Sequence, residues 1–134
     1  MARADRLARV PILSSLPARE LADLAAAMRE HAYVPGDHLT TEGEGGIAFF
    51  VILDGSATVT VRGEAKGTLG PGDHFGELAM IAGDERGATI TADTDMRCLS
   101  MTRWEFRPFV TEHPDVAWAL LETMAKRLRE AAAT

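Results

Sequence analysis

A chain of 134 residues is long enough for one domain with a buried core, and its formal charge of -6 disfavours broad nucleic-acid binding, as does the lack of any basic tail. Cys98 is the only cysteine, which excludes an intramolecular disulfide and fits a reducing compartment. No apolar run approaches a membrane span, and the N-terminus lacks the apolar run of a signal peptide, so the expected location is cytoplasmic.

All 12 glycines fall between Gly36 and Gly87, which predicts a turn-rich middle between helical flanks. In the first flank, Leu7, Val10, Ile12 and Leu13 form a short helical or irregular apolar segment. Leu21, Leu24, Ala25 and Met28 then recur at helical spacing, with Pro17 suited to the first turn.

The middle reads as β-structure. The tetrapeptide PGDH occurs at 35–38 and again at 71–74, and Pro-Gly suits a tight turn with glycine at the left-handed position. IAFFVIL, residues 47–53, is the continuous apolar run of a strand covered on both faces, whereas Ala57, Val59 and Val61 alternate with Thr58 and Thr60. Asp54-Gly55 between these two runs predicts a hairpin. ATITAD (88–93) and MRCLSM (96–101) bring the set to about seven or eight strands, which argues for a barrel or jelly roll.

Helices return after residue 101. Thr102-Arg103-Trp104-Glu105 is a capping box, with Pro108 set to kink or shorten the helix it opens. Pro114 opens a second helix in which Val116, Leu120, Met124 and Leu128 form an apolar face, and Lys126, Arg127 and Arg129 complement its dipole. The predicted organisation is one domain over 1–134: a helical segment over 1–30, a β-roll over 31–101 and two helices over 102–134.

FGELAMIAGDERGAT, residues 75–89, carries the chemistry. Gly76 ahead of a short helical stretch leaves amides free to bind an anion, and Arg86 adds a fork of donors matched to phosphate. The small Gly87 and Ala88 let a ligand lie against their backbone. Glu77 repels an anion but accepts from a hydroxyl, so a phosphate beside a free ribose hydroxyl satisfies both side chains. From spacing alone, an exposed Glu77–Arg86 ion pair explains the stretch equally well.

The whole chain, from roughly Leu7 to Arg129, resembles a cyclic-nucleotide-binding domain, as found in bacterial cyclic-nucleotide-gated channels and catabolite-activator-type regulators. FGELAMIAGDERGAT resembles that family's phosphate-binding cassette: F-G-E, apolar residues, a variable loop, then Arg, a small residue, Ala and Ser/Thr. GEGGIAFFVILDGSATV resembles the family's hairpin, and LGPGDHFGE its lead into the cassette. The resemblance implies a mostly β, α+β fold: a double-stranded β-helix or jelly-roll β-roll with an N-terminal helical segment and two C-terminal helices.

It also implies a site. Phe75, Gly76, Glu77, Leu78, Ala79, Arg86, Gly87, Ala88 and Thr89 occupy cassette positions. Arg86 would bind the cyclic phosphate, Glu77 the ribose 2′-hydroxyl, and the amides of Gly76, Leu78, Ala79 and Ala88 would line the sugar-phosphate. Arg127 matches a lid position on the last helix, and its other reading is a solvated charge near a helix end. The family often places Ala, Ser or Thr after the cassette arginine, and a hydroxyl there favours guanine; Gly87 has none, which favours cAMP over cGMP. The implied protein is a regulatory sensor without enzymatic activity. Its partners are the nucleotide and either a second copy or a fused or associated effector. The other class of reading is a degenerate module that binds no nucleotide and serves protein interaction or dimerisation.

Neither a metal nor a cofactor is expected. His31, His38, His74 and His113 lack the paired spacing of a metal-binding cupin and read as turn and surface residues. Ser14, Ser15, Thr40, Thr41 and Cys98 have no base arrangement for nucleophilic catalysis, so no catalytic residue is assigned. Trp104 and Trp118 read as helix-packing anchors.

Overall fold

A computed structural model of the chain describes residues 3–10, 13, 14, 16–41, 43, 48–76 and 87–133, with Thr123 and Arg127 described by backbone alone. Among these residues two helices, α1 (Arg3–Leu7) and α2 (Ala18–Ala27), precede eight strands: β1 (Arg29–Tyr33), β2 (His38–Thr40), β3 (Ala48–Asp54), β4 (Ala57–Val61), β5 (Glu64–Leu69), β6 (His74–Phe75), β7 (Thr89–Ala92) and β8 (Met96–Thr102). Two helices follow, α3 (Arg103–Glu112) and α4 (Pro114–Ala133). Among the described residues the strands form two antiparallel four-stranded sheets, ordered β1-β8-β3-β6 and β2-β7-β4-β5. This is the expected β-roll between helical flanks.

Why β3 is apolar from Ala48 to Leu53 follows from its place. Phe50 and Ile52 point between the sheets and join Leu39, Ala57, Ile90, Ala92, Met96 and Cys98 in the interior of the roll. Phe49, Val51 and Leu53 point the other way, into a second core with Leu99 and Met101 and with the helices. A strand walled on both faces has no solvent side on which polar residues gain anything. The helical core takes Leu7, Val10 and Leu13 from the first segment, Leu21, Leu24 and Met28 from α2, Phe106 and Phe109 from α3, and Val116 and Leu120 from α4.

The two PGDH turns are built identically. The Asp37 amide donates to the Val34 carbonyl at 3.0 Å while the Asp37 carboxylate accepts from the Val34 amide at 2.9 Å; Asp73 and Gly70 repeat this at 3.0 and 2.7 Å. Gly36 and Gly72 hold φ of 95° and 90°, a region that side-chain-bearing residues rarely enter. Each turn also docks on a strand by two backbone bonds. Gly36 donates to the Ala92 carbonyl and Asp37 accepts from the Ala92 amide, both at 2.8 Å; Gly72 and Asp73 do the same with Ile52, both at 2.9 Å. The repeat therefore starts β2 beside β7 and β6 beside β3.

Asp54-Gly55 is not the expected hairpin. It leads from β3 in one sheet to β4 in the other, and these strands do not pair. The hairpin lies one turn later, where Arg62 (φ 55°) and Gly63 (φ 78°) join β4 to β5 with Val61 opposite Glu64. Two consecutive positive-φ residues give the turn a twist that matches its strands.

The capping box is present. The Glu105 amide donates to Thr102 Oγ1 at 3.3 Å, and Glu105 Oε1 accepts from the Thr102 amide at 3.0 Å. Pro108 does not stop α3, which continues to Glu112. On α4 the apolar face is buried only at its start: Val116 and Leu120 enter the core, whereas Leu128 is exposed. The helix runs to Ala133, so Lys126, Arg127 and Arg129 stand before its last turn. Trp104 and Trp118 are 71% and 64% exposed and do not serve as packing anchors. Among the described residues no helix is long and apolar enough to cross a membrane.

Candidate functional site

The two ends of the cassette stand on opposite sheets. Its first end leaves β6, at the edge of one sheet; its second enters β7, between β2 and β4 of the other. Phe75 pairs with Phe50 across the ladder, and their rings stack at 4.8 Å with 10° between planes. That contact fastens the first end to the roll interior, where Phe75 joins the cluster that also holds Ile90 of β7. Gly76 follows with φ of 91°, a turn out of the strand that its lack of Cβ permits.

At the second end, Ala88 offers its carbonyl to Oγ1 of Thr40 at 3.1 Å. Thr40 is one of the buried polar residues of the chain, and this bond satisfies it. Thr89 lies opposite Thr60, whose hydroxyl donates to the Thr89 carbonyl at 3.4 Å. Gly87 is exposed, its φ is not positive, and among the described residues a Cβ added to it would meet no atom within 4 Å. Space beside this backbone is what the small residues Gly87 and Ala88 predict.

Of the predicted site residues, the structure thus describes Phe75, Gly76, Gly87, Ala88 and Thr89 and gathers them at the two ends of one segment. Glu77, Leu78, Ala79 and Arg86 lie outside the described residues, as does the Arg127 side chain, whose backbone belongs to α4. A cavity of about 330 Å³ lined by Arg6, Arg9, Ile52, Pro71, Gly72 and Asp73 lies against α1 and, among the described residues, contains none of these site residues.

Other titratable groups sort by environment. Cys98 lies wholly inside the roll, and burial pushes its thiol up to about 12, so it is no nucleophile. Asp54 is held below the usual carboxylate range, chiefly by its hydrogen bond from Arg97, whose Nη2 stands 2.6 Å away. His31 and His38 are exposed, as expected of surface residues. His113 is not a plain surface residue: its Nδ1 lies 2.5 Å from Glu20 Oε2, and Asp23 offers a third ligand atom nearby. The linear sequence offers no signal for that grouping, because Glu20 and His113 are 93 positions apart.

Comparison with known proteins places this geometry. The family model of the cyclic nucleotide-binding domain matches residues 30–113. The cAMP-dependent protein kinase regulatory subunit of Yarrowia lipolytica is 40% identical over 103 residues, covering 75% of this chain and 28% of that protein. The chain spans 28% to 35% of the length of the curated relatives it matches. Among solved structures, the N-terminal domain of a transcriptional regulator from Streptomyces coelicolor superposes with a TM-score of 0.88 at 32% identity, covering 95% of this chain and 94% of that one. The cAMP-bound structure of PfPKA-R superposes with a TM-score of 0.75 at 29% identity, over 96% of this chain and 46% of that one. A match of the family model over residues 30–113, more than half of the chain, shows that the chain belongs to the cyclic nucleotide-binding domain family.

Proposed function

We propose that the chain is a sensor of cAMP, with no enzymatic activity of its own, whose output is a displacement of α3 and α4. The observation that carries this reading is the cassette. Phe75 and Gly76 stand at the end of β6, and Gly87 and Ala88 just before β7, so the stretch that begins F-G-E and ends R-G-A-T joins strands of the two sheets. In this reading Arg86 meets the cyclic phosphate through two parallel N–H bonds, and Glu77 accepts from the ribose 2′-hydroxyl. Amides of Gly76, Leu78, Ala79 and Ala88 complete the lining, Phe75 and Thr89 fix its two ends, and Arg127 of α4 closes over the base.

Support for cAMP over cGMP comes from Gly87, which has no hydroxyl to offer a guanine, and from the similar proteins, one a cAMP-dependent regulatory subunit and one solved with cAMP. Binding draws the cassette inward, and α3, capped directly on the last residue of β8, moves with the roll wall. The nucleotide shifts that balance only by its different affinity for the two arrangements.

Calorimetry of the whole chain with cAMP and cGMP tests this. Saturable cAMP binding of micromolar strength or tighter is expected. Arg86→Ala removes charge-assisted bonds worth about 1.5–3 kcal/mol each and weakens binding roughly a hundredfold or more. Absence of saturation with either nucleotide would replace this reading by that of a module used for protein interaction or dimerisation.

A further inference from the structure

On the helical side of the molecule, away from the cassette, Glu20, Asp23 and His113 place one ligand atom each within 4.8 Å of one another. Glu20 and Asp23 are three residues apart on α2, so their carboxylates share one helix face. His113 is the single residue between α3 and α4, and its ring stacks on Phe109 at 4.2 Å with 21° between planes. That stacking aims the imidazole at α2, where Nδ1 meets Glu20 Oε2 at 2.5 Å.

The charge in this cluster is unbalanced. Among the described residues neither Glu20 nor Asp23 forms an ion pair with a lysine or arginine, and Glu20 meets the imidazole of His113. Two carboxylates against one imidazole leave a net negative charge whether or not the ring is protonated. A divalent ion replacing the proton of the Glu20–His113 bond would bring the set to neutrality.

We infer that Glu20, Asp23 and His113 form a site for a divalent transition metal of the zinc class that ties α2 to the junction of α3 and α4. One imidazole nitrogen and two carboxylate oxygens suit such an ion, whereas calcium and magnesium favour oxygen ligands alone. Bonds of about 2.0–2.2 Å hold ligand atoms roughly 3–4 Å apart, so Nδ1 and Oε2, now 2.5 Å apart, part by roughly 1 Å to admit the ion, while every other separation is already within 4.8 Å. The remaining coordination positions go to water. Because the site spans α2 and the residue on which α4 turns, a bound ion holds in place a junction that, among the described residues, rests on the Glu20–His113 hydrogen bond and packing. The site is independent of what binds in the cassette.

The experiment is titration of Zn²⁺ into the chelator-treated whole chain, by calorimetry, with the Tm followed in parallel. One Zn²⁺ per chain is expected, with affinity lost in His113→Gln and reduced at least tenfold in Asp23→Asn. Asp23→Asn is the decisive variant, since it leaves the Glu20–His113 bond in place and so leaves the fold intact. Zn²⁺ should raise the Tm of the natural chain and not that of Asp23→Asn, because an ion that binds only the folded arrangement stabilises it by mass action. No saturable binding, or binding that Asp23→Asn leaves unchanged, would overturn the site.

Discussion

Gly55 lies directly beneath the carbonyl of Asp95: a Cβ on Gly55 would stand 2.3 Å from that oxygen and 2.7 Å from Cγ of Met96. The contact sits where the chain crosses between sheets, with the Ser56 amide donating to Thr94 Oγ1 at 3.1 Å and the Asp93 amide to the Ser56 carbonyl at 2.9 Å. Two segments 40 residues apart are thereby pressed backbone to backbone, which a side chain at 55 would prevent.

Gly55→Ala should therefore destabilise strongly. Its φ of 93° already strains any side-chain-bearing residue, and the clash is with backbone that cannot swing away. A loss on the order of 2–4 kcal/mol is expected from denaturant unfolding. Gly63→Ala is the control, with φ of 78° and nothing within 4 Å of its added Cβ. It should cost only about 1 kcal/mol, from conformation alone. Equal losses in the two variants would show that the Asp95 contact contributes nothing.

Features carried by neighbouring residues were legible before the fold was known. The PGDH repeat, the capping box and the doubly covered strand each depend on side chains within a few positions. Features set by partners far along the chain were not. Asp54-Gly55 has the composition of a hairpin, but what decides its path is Asp95 and Met96, which draw the chain across to the second sheet. Trp104 and Trp118 have the size of core anchors, yet the core of this side is already filled by Phe106, Phe109, Val116 and Leu120. In the site, the ends of the cassette were readable from Phe75, Gly76 and the small residues at 87–88, while Thr40, which fastens Ala88 from another strand, was not.

The start of α3 gives a second prediction. Thr102→Ala removes the hydroxyl that accepts the Glu105 amide and should cost about 1 kcal/mol. The same box sets a pH dependence. Glu105 is held below the usual carboxylate range, first by the hydrogen bond from the Thr102 amide, opposed by partial burial, and helped by the Thr102 hydroxyl and Arg29. A carboxylate with a lowered folded pKa contributes stability that is fully present above its unfolded pKa and is lost as pH falls through the folded one. Urea midpoints should fall with acidification less steeply in Glu105→Gln than in the natural chain, which starts higher. Identical slopes would mean the cap holds no differential charge energy.

Cys98 supplies a third. Its thiol, pushed up to about 12 by burial inside the roll, is almost entirely protonated at pH 8, and it has no solvent exposure. The thiolate is the reactive form. A thiol-specific disulfide reagent should therefore react with the native chain only as fast as the roll opens, and promptly in denaturant. Rapid stoichiometric reaction of the native chain would place Cys98 elsewhere.

The specificity of the cassette can be tested at Gly87, the position where this chain departs from the Ala, Ser or Thr that often follows the cassette arginine. Its backbone is not left-handed and among the described residues a Cβ would meet nothing within 4 Å, so Gly87→Ser adds a hydroxyl without backbone strain or clash with them. In the proposed site a serine at 87 would donate to a guanine or accept from its amino group, and an adenine in the same place would gain less. One net hydrogen bond is worth about 0.5–1.5 kcal/mol, a change of roughly twofold to tenfold in relative affinity. Competition calorimetry should show the cGMP-to-cAMP affinity ratio rising by that factor in Gly87→Ser. Gly87→Ala, which adds the Cβ alone, should leave the ratio where it was. A rise of equal size in both variants would assign the effect to a tighter cassette and not to the hydroxyl.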